Sequence, residues 1–149
     1  MEDVWKPHAT VATIVEHDGK FLMVEEISAG ERVYNQPAGH LEPGESLLTA
    51  AIRETQEETA WQFTPEYISG IYRWDQSSTN RCFLRVTFVG SCKNHDKEQQ
   101  LDDGIIRALW MSREELAAQP EKLRSPMVLR CIDDYLEGKK YPLDLLIDI

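Results

Sequence analysis

The chain has 149 residues, a hydrophobic content of 42% and a formal net charge of −10. This length and composition are typical of one globular domain, and we expect a single domain over residues 1–149. The negative charge argues against a nucleic-acid polymer as the main partner, because phosphate backbones attract basic surfaces.

The sequence predicts neither membrane contact nor export. No apolar run approaches the roughly 20 residues that a membrane helix needs. The opening MEDVWKPHAT has two acids and no apolar core, so a signal peptide is not expected. Cys82, Cys92 and Cys131 are odd in number and lack metal-ligand spacing, which is typical of reduced thiols. We therefore expect a cytoplasmic protein.

The beginning of the chain predicts strands. Residues rich in Val, Ile and Thr alternate from His8 to Glu16, and the Asp-Gly turn at 17–20 predicts a hairpin that returns along Phe21–Glu25. A polar loop that contains glycine is expected at 27–32. A short extended segment at 33–36 ends before a proline.

Residues 39–61, GHLEPGESLLTAAIRETQEETAW, predict a glycine-bearing loop and then a helix over Ser46–Thr59. On that helix Glu54, Glu57 and Glu58 stand at i, i+3 and i+4, so they share one face. Like charges so close repel each other, and a divalent cation would offset the repulsion. Because no Cys or His accompanies the carboxylates, Mg²⁺ is the natural cation, with Mn²⁺ as a substitute. A solvated acidic helix face is the alternative.

The second half of the chain predicts further strands and helices. An antiparallel strand pair is expected at Tyr67–Trp74 and Cys82–Gly90, followed by a charged loop at 93–103 and a strand at Ile105–Met111. A short helix at 112–118 is capped by Ser112, with Glu115 at capping-box spacing, and a last helix runs from Pro126 to about Glu137. Periodicity alone therefore predicts an α+β protein with strands and helices on one sheet system.

The segment from the first glycine to Trp61 resembles the Nudix box. That pattern is Gly, five residues, Glu, seven residues, Arg-Glu, an apolar residue, any residue, Glu-Glu, any residue, Gly and an apolar residue. The matching positions are Gly39, Glu45, Arg53, Glu54, Glu57, Glu58 and Trp61. The chain is thus similar to the Nudix hydrolases.

Two positions depart from the box. Thr55 stands where an apolar residue is usual, and Ala60 stands where Gly is usual. We expect Thr55 to be buried by bonding back to the preceding turn, on an inward stripe with Leu48, Ile52 and Thr59. Ala60 affects only the shape of the helix end, where Gly would give an easy left-handed turn.

The resemblance implies an α/β/α sandwich around a mixed sheet, with the box as a loop–helix–loop, and hydrolysis of phosphoanhydrides with Mg²⁺. It implies metal binding by the three helix glutamates and one backbone carbonyl: Glu54, Glu57, Glu58 and Ala38. Glu45 and Arg53 would form a buried ion pair that positions the helix against the loop, and the alternative is a weak surface salt bridge.

The general base is open between two groups of acids. Glu57 is our choice among the helix glutamates. Many relatives instead use an acid from a later loop, and here that loop offers Glu98, Asp102 and Asp103. For any one of these three, a solvated loop position is the alternative.

Candidate substrate contacts lie on both sides of the box. They are a loop glycine, a neighbouring histidine, two aromatic residues and an arginine: Gly39, His40, Tyr34, Trp74 and Arg85. The glycine allows close backbone approach, the aromatic rings can stack on a base, and arginine can bind phosphate through two hydrogen bonds. The alternatives are an ordinary loop glycine, a structural histidine, core aromatics and an arginine on the solvent face of its strand.

Segments outside the box resemble the NudJ-type phosphatase subgroup of the family. They are Lys6-Pro7-His8, residues 35–42, Arg124-Ser125-Pro126 and Tyr141-Pro142-Leu143. The resemblance implies removal of terminal orthophosphate from nucleoside tri- and diphosphates and from small diphosphates such as hydroxymethylpyrimidine diphosphate. A pyrophosphohydrolase of another nucleotide, or a nucleotide-sensing domain without turnover, are the alternatives. We expect a small-molecule partner and either a monomer or a homodimer.

Overall fold

The computed structural model describes residues 3–149. Eight strands and three α-helices follow one another in these residues: β1 His8–Ile14, β2 Glu16–His17, β3 Lys20–Ser28, β4 Glu31–Asn35, β5 Ala38–His40, α1 Leu47–Thr59, β6 Gln62–Gln76, β7 Arg81–Lys93, β8 Ile105–Met111, α2 Arg113–Ala117 and α3 Met127–Leu136. Short 3₁₀ turns at Pro120–Lys122 and Leu143–Leu145 complete the chain.

The first sheet is mixed, in the order β5-β1-β7-β6. Strands β1 and β7 run parallel, and the other neighbours run antiparallel. β1 lies inside this sheet, and its residues from Val11 to Ile14 are buried. This burial on both faces suits the β-branched residues of β1, which are Thr10, Val11, Thr13 and Ile14.

The second sheet is antiparallel and is built around β3, which pairs with β2, β4 and β8. The hairpin predicted between His8–Glu16 and Phe21–Glu25 is wrong for most of its length. Only Glu16 and His17 pair back, across a turn in which Asp18 and Gly19 have φ of 51° and 76°. β1 instead pairs with strands of the first sheet, because the alternation of apolar and polar residues along a strand does not specify its partner.

The loop expected at 27–32 is also wrong. β3 continues to Ser28 and β4 begins at Glu31, so the turn is Ala29-Gly30 alone, with φ of 50° and 80°. Positive φ at both central residues suits a two-residue hairpin turn, whose twist matches that of the strands. A loop was predicted because the side chains at this exposed hairpin end are polar, as they are in loops.

Helices cover both faces of the sheet system, and they confirm the α/β/α arrangement. On one side Ile14 and Val89 pack against Val128 and Ile132 of α3. On the other side Val11, together with its neighbours on the first sheet, packs against the small residues of α1. Each fully buried aliphatic side chain contributes roughly 1.5–3 kcal/mol, so these two clusters hold the layers together. The α+β class is confirmed, although the strands form two sheets rather than one sheet system.

Most later elements agree with the sequence. β8 has the predicted bounds, and the capping box of α2 joins Ser112 and Glu115. The last helix begins at Met127 with Pro126 as its N-cap, and Glu137 follows as its C-cap. β6 starts earlier than expected, at Gln62, because a proline is tolerated where the ladder shifts register.

Two further expectations concern the whole chain. Within residues 3–149, no helix is both long and apolar enough to cross a membrane. Cys82, Cys92 and Cys131 are free thiols.

Candidate active site

The helix of the box, α1, begins directly after its N-cap residue, Ser46. The Ser46 hydroxyl accepts a hydrogen bond from the Thr49 N–H at 3.1 Å, so the helix starts at Leu47. Its inward stripe contains Thr55, whose hydroxyl donates to the Ala51 carbonyl at 2.8 Å and lies 3.0 Å from the hydroxyl of Thr13. The expected burial of Thr55 is therefore confirmed. Ile52 was wrongly placed on this stripe: it is 38% exposed.

The helix ends in the left-handed conformation that Gly would favour. Ala60 has φ of 62° and ψ of 17°, and its N–H donates to the Gln56 carbonyl at 2.9 Å. A left-handed turn at an L-residue costs about 1–2 kcal/mol. Alanine in place of glycine therefore keeps the shape of the box but lowers the stability of the protein.

Three carboxylates meet beside this helix. Glu54, Glu57 and Asp102 each place one oxygen within 4.8 Å of the others. Burial raises the pKa of Glu54, and burial together with the Asp102 carboxylate raises the pKa of Glu57. Burial is the main cause of both pKa shifts and the neighbouring carboxylates add to it, so a bound cation would stabilise the charged forms.

Asp102 comes from the acidic loop before β8. Of the three loop acids suggested by the sequence, the structure brings this one to the helix glutamates. Glu98 and Asp103 are exposed and lie outside the group of three carboxylates, and the Glu98 N–H is engaged by Asp96 at 3.0 Å. Sequence alone could not separate the three because they are similar acids in one loop.

Glu58 takes a different position from its two helix neighbours. One of its oxygens accepts a hydrogen bond from the Ala38 N–H at 2.9 Å, which fastens α1 to β5. Burial raises the pKa of Glu58 to about 9, the Ala38 hydrogen bond opposes that shift, and the carboxylates of Glu26 and Glu54 add to it. Glu58 stands outside the group of three carboxylates but lines the same cavity as Glu54.

Arg53 holds the box together through several acids. Its Nε and Nη2 donate to the two oxygens of Glu45 at 3.0 and 2.7 Å, and its Nη1 donates to Glu54 at 2.8 Å and Glu57 at 3.2 Å. The hydrogen bonds from Arg53 lower the pKa of Glu45. The side chains of Arg53 and Glu45 are 20% and 11% exposed, so the pair is partly rather than fully buried. Its forked geometry distinguishes it from a single surface contact.

Gly39 allows strand β5 to pass directly over the Glu54 carboxylate. A Cβ at this position would lie 2.1 Å from Cδ of Glu54, so an added side chain would displace that carboxylate. Arg53 reaches the same strand, because its Nη2 donates to the His40 carbonyl at 3.0 Å. Close backbone approach is therefore the reason for glycine here.

A cavity of about 390 Å³ opens beside these acids. Its floor is one face of the first sheet, on which Thr10 is paired with His40 and Arg85, and Phe83 is paired with Trp74. The Trp74 and Phe83 rings stack with centroids 5.8 Å apart. The cavity thus joins an acidic end to an aromatic surface.

Four of the five candidate substrate contacts line this cavity: Gly39, His40, Trp74 and Arg85. Tyr34 does not. It packs against the core beneath α3 and lines a different depression, while its neighbour Asn35 faces the cavity. Successive residues of a strand point to opposite faces, which explains why Asn35 and Tyr34 are separated.

Arg85 lies on the cavity floor rather than on a solvent face. It is 4% exposed and donates to the side-chain oxygens of Gln36 at 3.0 Å and Asn35 at 3.1 Å. Its Nε has no hydrogen-bond partner in the described residues 3–149. The guanidinium is therefore buried among neutral amide partners. Arg81, at the start of the same strand, is by contrast exposed.

Besides Glu42, the sequence missed two charged residues of the cavity wall, Glu26 and Arg124. They approach each other at 3.8 Å, and the Asn35 amide donates to Glu26 at 3.4 Å. Burial raises the pKa of Glu26, although Arg124 opposes the shift. A glutamate that continues an apolar strand could have indicated Glu26, but Arg124 lies in a connection without regular structure.

Comparison with known proteins agrees with this geometry. A sequence profile of the NUDIX domain matches residues 5–130. The chain belongs to the Nudix hydrolase family. As such it is a hydrolase of phosphoanhydrides, and its mixed sheet, flanking helices and box are those of the family.

Two relatives of this Nudix hydrolase cover nearly all of it. Phosphatase NudJ of Escherichia coli strain K12 is 40% identical over 145 residues, which are 97% of this chain and 94% of that protein. A solved NUDIX hydrolase from Nitrosomonas europaea is 48% identical with a TM-score of 0.95, over 97% of this chain and 98% of that one.

A more distant structure shows the fold alone. The MutT NUDIX hydrolase from Burkholderia pseudomallei is 13% identical, with a TM-score of 0.74 over 87% of this chain and 98% of that one.

Proposed function

We propose that this Nudix hydrolase removes the terminal phosphate from nucleoside tri- and diphosphates and from small organic diphosphates such as hydroxymethylpyrimidine diphosphate. The observation that carries the proposal is the group formed by Glu54, Glu57 and Asp102, of which Glu54 lines the cavity that also contains Trp74. The 40% identity to Phosphatase NudJ over nearly the whole chain favours release of orthophosphate.

The donor set fits Mg²⁺, and Mn²⁺ as a substitute. All three residues of the group offer carboxylate oxygens, which are the ligands that hard divalent cations prefer. Glu54, Glu57 and Asp102 would hold the ion, with Glu58 and the carbonyl of Ala38 on the inner side of the same site. A bound Mg²⁺ neutralises phosphate oxygens and makes a bound water more acidic.

Glu57 is the proposed general base. Its side chain is 39% exposed, more than that of Glu54, so it can reach a water molecule at the mouth of the site. Asp102 is the alternative base, since it stands in the same group.

Arg53 and Glu45 orient the reacting carboxylates. The two hydrogen bonds to Glu45 fix the guanidinium plane, and the remaining nitrogen holds Glu54 and Glu57 in one geometry. Fixed orientation is worth several orders of magnitude in rate when reacting atoms must align.

The cavity would hold the rest of the substrate. Gly39 lets the backbone approach the phosphates, and His40 stands at the rim beside His8, whose ring nitrogen lies 3.1 Å from its own. Trp74 offers a ring for stacking against a base or pyrimidine. Within residues 3–149, the hydrogen-bond partners of the buried Arg85 include no carboxylate, so its charge favours an anionic substrate above it.

The test is a panel of nucleotides and small diphosphates assayed with Mg²⁺, in which orthophosphate and pyrophosphate are measured separately. We expect orthophosphate from GTP, GDP and hydroxymethylpyrimidine diphosphate. Pyrophosphate as the main product would favour the alternative hypothesis, a Nudix pyrophosphohydrolase. Tight binding without product would favour a sensing domain.

A further inference from the structure

The loop of residues 94–104, which we call the Asp102 loop, runs along the last turn of α1. The Asp102 N–H donates to the Glu57 carbonyl at 3.0 Å, and the Asp96 N–H donates to the Ala60 carbonyl at 3.0 Å. The last carbonyls of a helix have no partner within the helix itself. The Asp102 loop supplies those partners and is thereby aligned with the helix that carries the glutamates.

Two glutamines join the loop to the helix through a reciprocal pair of hydrogen bonds. The Gln56 amide donates to the side-chain oxygen of Gln99 at 2.6 Å, and the Gln99 amide donates to the Gln56 backbone carbonyl at 2.6 Å. Both side chains are half-buried. Gln56 precedes Glu57 in the chain, so this contact is made one residue from the group of three carboxylates.

Other contacts fasten the far end of the same loop. The His95 ring stacks on Trp61 with centroids 4.7 Å apart, and the Asn94 amide donates to Gln62 at 3.1 Å. These contacts lie beyond the end of α1, whereas the Gln99 contact lies between them and Asp102. Gln99 therefore fastens the middle of the loop, between these contacts and the Asp102 N–H, which donates to the Glu57 carbonyl.

The loop needs such a fastening because its acid is repelled by its surroundings. Asp102 brings a third negative charge to Glu54 and Glu57, and like charges at this distance favour an outward position of the loop. The neutral glutamine pair resists that displacement without adding charge to the site.

We propose that Gln99 is a positioning residue, which acts with Gln56 to hold the Asp102 carboxylate against Glu54 and Glu57 for cation binding. The proposal rests on the proposed function, since it assigns Asp102 to the cation site. Partners of metal ligands typically change metal affinity by about 10- to 100-fold when they are removed.

The experiment compares Gln99→Ala with the matched control Gln100→Ala, whose residue is the exposed neighbour on the same loop. Mn²⁺ alone is titrated into each protein and followed by electron paramagnetic resonance. Amide hydrogen exchange of the Asp102 loop is measured without metal, and circular dichroism verifies folding. We expect Gln99→Ala to weaken Mn²⁺ binding by about 10-fold and to speed exchange of the Asp102 N–H, while Gln100→Ala changes neither.

A second comparison, made in the Asp102→Asn variant, separates an effect of Gln99 on the position of Asp102 from an effect on general stability. In Asp102→Asn, we expect Gln99→Ala to change Mn²⁺ affinity by less than about 2-fold, because the carboxylate through which it acts is gone. Gln56→Ala, which removes one of the two hydrogen bonds, should give a smaller loss than Gln99→Ala. An equal loss in both backgrounds, or faster exchange with unchanged Mn²⁺ affinity, would overturn the assignment.

Failure of the inference can be told from failure of the proposed function. A wild-type protein that binds Mn²⁺ and hydrolyses GDP, with a Gln99→Ala variant that matches it in all measurements, refutes only the role of Gln99. A wild-type protein that neither binds Mn²⁺ nor hydrolyses the panel refutes the function, and the inference with it.

Discussion

Arg53 donates two hydrogen bonds, of 2.7 and 3.0 Å, to the carboxylate of Glu45. This forked pair joins the start of the box to the helix that carries the reactive carboxylates of the box. A third nitrogen of the same guanidinium then reaches Glu54 and Glu57. The box is thus organised by one planar cation with fixed donor directions, and a point charge could not replace it.

Arg53→Lys is therefore expected to lower turnover by about 10- to 100-fold, because lysine keeps the charge but loses the fork. Steady-state hydrolysis of GDP with separate kcat and KM checks this, and the fall should be in kcat. Arg81→Lys, on an exposed arginine, is the control and should be silent. Full activity in Arg53→Lys would show that charge alone suffices.

Glu57→Gln is expected to reduce turnover by at least about 100-fold while the fold persists, because an amide cannot accept the proton of the attacking water. Thermal unfolding of the variant should match that of the wild type, since Glu57 is one of the more exposed box acids. An unchanged rate would show that the carboxylate group is not the reaction centre. Asp102→Asn is measured in parallel at saturating Mg²⁺, because Asp102 is also assigned to the cation site, and the variant with the larger fall in kcat then identifies the proton acceptor.

Gly39→Ala is expected to weaken Mn²⁺ binding and turnover by about 10-fold or more, because the added methyl group displaces the Glu54 carboxylate. Gly19→Ala is the matched control: its φ of 76° makes an added side chain costly, but open space surrounds it. The control should lose stability and keep its Mn²⁺ affinity. Equal Mn²⁺ affinities in both variants would contradict the role given to Gly39.

The sequence was most informative where spacing within one helix decided the outcome. The positions of Glu54, Glu57 and Thr55 followed from a period of 3.6 residues, whereas Glu58 bonds to the Ala38 N–H outside the group of three carboxylates and Ile52 is exposed. Ile52 was misplaced because the inward stripe is formed by Ala and Thr, which a search for large apolar residues overlooks. Local pattern thus predicted the helix, but not which side chains were small enough to pack against the sheet.

Features that depend on distant segments could not be predicted in this way. The partner of β1, the choice of Asp102 among three loop acids and the burial of Arg85 each rest on contacts across many residues. Arg85 was predicted as a substrate contact, and the solvent face of its strand stayed open as the alternative because its amide partners lie 49 and 50 positions earlier in the chain. Only the closed structure brings such groups together.

Ala60→Gly is expected to stabilise the protein, because glycine removes the left-handed strain that alanine carries at the end of α1. The net gain should be about 1 kcal/mol, or a rise in Tm of about 2–4 °C. Ala118→Gly is the matched control, since Ala118 ends α2 with a right-handed φ of −73°. That variant should lose stability, and a loss in both would mean that the Ala60 turn carries no strain.

Asp134→Asn should destabilise the protein at neutral pH and have little effect in acid. The Asp134 carboxylate accepts hydrogen bonds from Tyr72 at 2.7 Å, Lys139 at 3.0 Å and Arg130 at 3.1 Å. Burial tends to raise the pKa of Asp134, but these three donors outweigh it, so the pKa lies below its ordinary 3.8.

A lowered pKa in the folded state fixes the sign of the pH dependence. The stabilisation by Asp134 is present above the unfolded value of 3.8 and is lost as the pH falls through the lower folded value. Urea unfolding of wild type and Asp134→Asn at pH 7 should differ by about 2 kcal/mol, which is typical of hydrogen bonds to a charged group. The difference should shrink as the pH falls below 3.8. A gap that stays constant into acid would mean that the charge of Asp134 contributes nothing, and that only its packing against Tyr72 matters.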